Sequence, residues 1–108
     1  MAIGDISKVT LGNAGDLYCL DTGLYGTPAY GASYIFDTPR PTVIETSTGR
    51  NHELLLNALD ELGIGTADLR NIVLTHIHLD HAGGAGFLAA DCPNAEVFVH
   101  EIGAPFLV

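Results

Sequence analysis

Apolar and polar positions follow two rhythms along the chain. From Ile6 to Thr46 the period is close to two, which predicts strands. Ile6–Leu11 is the first. Leu17–Asp21 is the second, with Leu17, Cys19 and Asp21 on one face and Tyr18 and Leu20 on the other. Ala32–Phe36 and Thr42–Thr46 follow, rich in β-branched and aromatic residues. Gly12–Asp16 predicts a turn, and Pro39 and Pro41 stop any strand from continuing through 37–41. Thr22–Gly31 holds three glycines, Pro28, Tyr25 and Tyr30, which suits either a solvated connection or a loop covering a site.

After Thr46 the period lengthens to about 3.6. A helix is predicted from His52 to about Leu62, with Asn51 as N-cap and Gly63 as its stop. Leu54, Leu55, Ala58, Leu59 and Leu62 share its apolar face. His52, at the helix start, reads as a solvated or capping residue. Asn71–Thr75 contains Ile72-Val73-Leu74, a short apolar run expected to be a strand buried on both faces. A helix within Gly84–Ala90, ended by Asp91-Cys92-Pro93, precedes a strand over Ala95–His100. Hairpins followed by strand, helix, strand predict an α/β fold, a mixed β-sheet layered against flanking helices.

Composition narrows the function. The chain has 108 residues, 47% of them hydrophobic and 16% charged, which excludes a disordered tail and a charge-rich coiled coil. Thirteen acidic residues against four basic ones give a net charge of −9. Without Lys and Arg clusters there is no grip for nucleic acid or an anionic membrane surface. No apolar run approaches the roughly 20 residues of a membrane span, and Met1 to Thr10, with Asp5 and no long apolar stretch, is not expected to be a secretory signal. Cys19 and Cys92 make no disulfide framework or zinc-finger pair, so a cytoplasmic location with free thiols is expected.

Three of the five histidines lie within Thr75-His76-Ile77-His78-Leu79-Asp80-His81-Ala82-Gly83-Gly84. In an extended segment His76 and His78 point the same way, and Ile77 and Leu79 point toward the core. Asp80 and His81 fall at the turn that the two glycines allow. Imidazole and carboxylate together suit zinc, and also iron or manganese. Three adjacent rings in a core would compete for hydrogen-bond partners, so a metal site explains them better than packing does.

His76-x-His78-x-Asp80-His81, after an apolar strand and before Gly83-Gly84 and a helix, resembles the signature of the metallo-β-lactamase-fold hydrolases. The order of hairpins, helix, motif strand and final strand is similar over most of the chain. One departure is Glu45-Thr46-Ser47, where many members have Asp-Thr-Gly. The resemblance implies an αββα sandwich of two mixed sheets with helices outside. Such a domain takes about 200 residues or more. Residues 1–108 are therefore expected to be a single incomplete domain, its N-terminal half, truncated at the C-terminal side. A half-sandwich is expected to leave a sheet face uncovered, which favours self-association or poor solubility.

The same resemblance implies roles. His76 and His78 resemble two of three histidines holding a first metal, and Asp80 and His81 resemble ligands of a second. In single-metal members the residue matching Asp80 takes protons instead, which makes Asp80 the candidate catalytic residue. One or two Zn2+ ions are implied, with Fe or Mn as alternatives. The remaining ligands would come from downstream. His100 is a further candidate, although it matches a place where the family often has a non-ligand histidine.

The reaction implied is hydrolysis by metal-activated water of a small-metabolite ester, a thioester as in glyoxalase II, or a lactone. The absence of a Gly-x-Ser-x-Gly elbow agrees with a mechanism lacking a covalent enzyme intermediate. The alternatives are a phosphodiesterase or nuclease of the same fold and, if 108 residues are the whole molecule, a non-catalytic metal-binding fragment. An amidohydrolase barrel, which also opens on His-x-His, needs far more chain and repeated βα units. A small-molecule substrate is the expected partner.

Overall fold

The computed structural model describes residues 4–22, 32–46, 52–74 and 84–99. Among these, six strands form one mixed sheet and two α-helices accompany it. The strands are β1 (Ile6–Thr10), β2 (Asp16–Asp21), β3 (Ala32–Asp37), β4 (Thr42–Ile44), β5 (Asn71–Val73) and β6 (Glu96–Phe98), and they lie side by side in chain order. Helix α1 spans His52–Glu61 and α2 spans Ala85–Asp91. The predicted α/β class and mixed sheet with flanking helices are what the structure shows.

β1 to β4 pair antiparallel, and β4, β5 and β6 pair parallel. The change follows from the connections. Short turns join β1 to β2 and β3 to β4, whereas crossovers that include α1 and α2 join β4 to β5 and β5 to β6. The first hairpin needs Gly15. Its φ is 122°, and a Cβ there would sit 2.3 Å from the Asp37 carbonyl oxygen. Only a residue without a side chain lets the β1–β2 turn lie against the end of β3.

Alternation along β2 runs as expected. Leu20 is fully buried and Tyr18 packs against the core, while Leu17 and Cys19, on the opposite face, are half-buried. Leu20, Ile35, Val43 and Ile72 carry the sheet's contribution to the core. Leu55, Ala58 and Leu59 of α1 and Ala85 and Leu88 of α2 belong to the same core cluster. Gly63 ends α1 in the way its position predicts. With φ at 77° it donates its N–H to the Asp60 carbonyl, and Ile64 N–H donates to Leu59. This paired closure satisfies two free carbonyls and buries Ile64 in the core.

Four expectations need correction. β5 is not buried on both faces: Ile72 is sealed, but Val73, on the face opposite the core, is half-buried. The strand predicted to run to Thr46 stops at Ile44, because Glu45 takes a left-handed backbone conformation with φ at 70°. β6 is three residues long and exposed throughout, and among the described residues it pairs with β5 alone.

The fourth concerns His52, which is not solvated. Its side chain is only 11% exposed, and its Nε2 meets Asp91 Oδ2 at 2.7 Å. Its ring lies 5.5 Å from that of Phe87. The pair ties the start of α1 to the end of α2 across 39 positions of chain. Proximity in space, absent from the local pattern, decides this. A double-mutant cycle with His52→Gln and Asp91→Asn is expected to give a coupling of about 0.5–1 kcal/mol in urea unfolding at neutral pH, since Asp91 is half exposed. Zero coupling would mean that the contact contributes nothing to stability.

Both cysteines are free. Burial, and then the neighbouring Asp91 charge, push the Cys92 thiol above its ordinary value, so it stays neutral and packs as a core residue. Among the described residues no helix is long and apolar enough to cross a membrane.

Candidate functional site

Strand direction decides where the chemistry falls. β4, β5 and β6 run the same way, and β2, antiparallel to β3 as β3 is to β4, runs with them. One end of the sheet therefore collects the C-terminal ends of β2, β4, β5 and β6. In open sheets with parallel strands, ligands bind beyond those ends. In the sequence the histidine-rich segment begins two residues after β5, whose C-terminal end lies here. His76, His78, Asp80 and His81 lie outside the described residues, as do His100, the N-cap candidate Asn51 and the loop at 23–31. The described chain runs to Leu74 before the motif and resumes at Gly84, from which α2 begins.

β5 is held in register up to its last residues. Glu45 N–H donates to the Val73 carbonyl at 3.0 Å, and Leu74 N–H donates to the Phe98 carbonyl at 2.9 Å. At the opposite end, Arg70 N–H donates to Pro41, Glu96 N–H donates to Arg70, and Asn71 Nδ2 donates to Thr42 Oγ1. A fully buried Ile72 centres the strand between them. The segment that carries the motif thus leaves a fixed point rather than a loose loop.

The motif end of the sheet has a second property that the sequence pattern did not reveal. Among the described residues, the buried polar and charged side chains are Asp21, Thr22, Ser33, Glu45 and Thr46. All five belong to this end: Asp21 and Thr22 at the close of β2, Ser33 at the opening of β3, Glu45 and Thr46 just past β4. Asp21, Thr22, Glu45 and Thr46 each take part in a polar or comparable contact. Ser33 Oγ is buried without a hydrogen-bond partner among the described residues. Buried polar groups are costly unless they are satisfied, so their gathering at the end of the sheet where β5 finishes marks this end as built for something other than packing. The sequence signal was there in the polar pairs Asp21-Thr22 and Glu45-Thr46 that end two apolar strands. Only the strand order shows that the pairs are neighbours.

Among the described residues no group of three or more His, Cys, Asp or Glu converges in the manner of a metal site. The candidate ligand set on donor chemistry is the one the sequence motif offers, three imidazoles and a carboxylate within six positions.

Known proteins resemble this chain in sequence and in fold. The model of the metallo-beta-lactamase superfamily matches residues 12–107. A protein named "Probable metallo-hydrolase" from Mycobacterium tuberculosis is 33% identical over 81 residues, covering 75% of this chain and 21% of its own length. A counterpart of the same name in Mycobacterium bovis matches equally. Among solved structures, a metallo-beta-lactamase mutant from Cronobacter sakazakii superposes with a TM-score of 0.74 at 24% identity, covering 94% of this chain and 37% of that one. The native FEZ-1 metallo-beta-lactamase from Legionella gormanii gives a TM-score of 0.71 at 25% identity, covering 85% and 33%. The chain spans about a fifth of the curated relatives' length and about a third of these structures.

Proposed function

This chain belongs to the metallo-beta-lactamase superfamily, and on that premise we propose that it forms the N-terminal part of a metal-dependent hydrolase acting on a small-metabolite ester, thioester or lactone. What supports the proposal is the sequence motif His76-x-His78-x-Asp80-His81, which in the chain follows β5, the strand whose C-terminal end lies where parallel strands finish and buried polar side chains gather.

The donor set fits zinc, with one or two ions, and iron or manganese would find the same nitrogens and oxygens acceptable. When bound, such an ion lowers the pKa of water toward neutrality and polarises the substrate carbonyl. In this reading His76 and His78 hold the first ion. Asp80 and His81 hold the second, or Asp80 accepts a proton where one ion suffices. The 108 residues then supply about two ligands per metal, so by themselves they bind zinc weakly and turn over no substrate. The rest of the site and the substrate pocket come from further chain, and His100 stands outside the ligand set.

A low charge density of basic groups separates this reading from its closest rival, a phosphodiesterase or nuclease of the same fold. With four Lys and Arg in 108 residues, this part offers no surface for a phosphate backbone. Two free thiols suit a cytoplasmic location. The test is a substrate panel, comprising an acyl thioester, a lactone and a phosphodiester, presented to the zinc-loaded product of the complete reading frame that contains these residues. Cleavage of the thioester or lactone above background, lost on chelation and restored by zinc, is expected. Turnover of the phosphodiester alone would move the assignment to the rival. Unchanged turnover under chelation would end both.

A further inference from the structure

We draw no further inference here: the strongest candidate, the apolar sheet face turned away from α1 and α2, on which Cys19, Tyr34, Ile44, Val73 and Phe98 stand in register across β2 to β6, carries nothing because nothing among the described residues shows what covers it.

Discussion

Replacing His76 and His78 together by alanine is expected to abolish zinc uptake by this chain and, under the proposed function, to remove nearly all turnover from the full-length hydrolase. The two imidazoles sit two positions apart just after β5, and no other histidine pair in the sequence has that spacing. Structural zinc sites with four ligands bind with roughly 10–16 kcal/mol, or on the order of 3 kcal/mol for each ligand. Loss of two ligands from a site that already lacks some leaves affinity below measurement. Calorimetric titration and metal analysis after gel filtration read the result directly. Asp80→Asn provides the contrast, because it is expected to impair turnover more than folding. A double histidine variant that keeps its metal content would place the ligands elsewhere.

Leu59→Ala is expected to cost about 3 kcal/mol of unfolding free energy, within the usual span for a buried leucine. Leu59 is 1% exposed on α1 and belongs to the core that includes Leu20, Ile35, Val43 and Ile72 of the sheet. Its carbonyl accepts the Ile64 N–H that closes the helix, and alanine keeps that bond, so the loss isolates side-chain packing. For a chain of this size the melting temperature would fall by roughly 10–20 °C. Leu56→Ala, at a half-buried position of the same helix, should cost clearly less. Equal losses at the two sites, measured by urea unfolding, would contradict the packing face assigned to α1.

Particular residues show why some features were legible in the sequence. Leu20, Ile35, Val43, Leu55, Leu59 and Ile72 are apolar at the period of their element, so burial could be read locally. Gly63 announces a helix end because the left-handed closure has few alternatives. His52 misled for the opposite reason. A histidine at a helix start is normally solvated, and its partner Asp91 lies 39 residues away. Glu45 misled as well, since Val43-Ile44-Glu45-Thr46 has the composition of a continuing strand. The backbone turns left-handed at Glu45 because of what surrounds it, which local propensity does not encode.

By itself the sequence determined the family and named the candidate donors. Three imidazoles and a carboxylate in six positions admit few uses, and ligand type is a property of side chains, independent of fold. It also determined the alternation between sheet and helix, because periodicity is local. Only the tertiary structure decided that the ends of β2, β4, β5 and β6 meet on one side of the sheet, bringing Asp21, Thr22, Ser33, Glu45 and Thr46 to the edge where the motif begins. Those residues are scattered from position 21 to position 46, and their proximity depends on which strands pair and in which direction. Pairing is set by burial of one shared apolar face against α1 and α2, a cooperative property that no single segment carries.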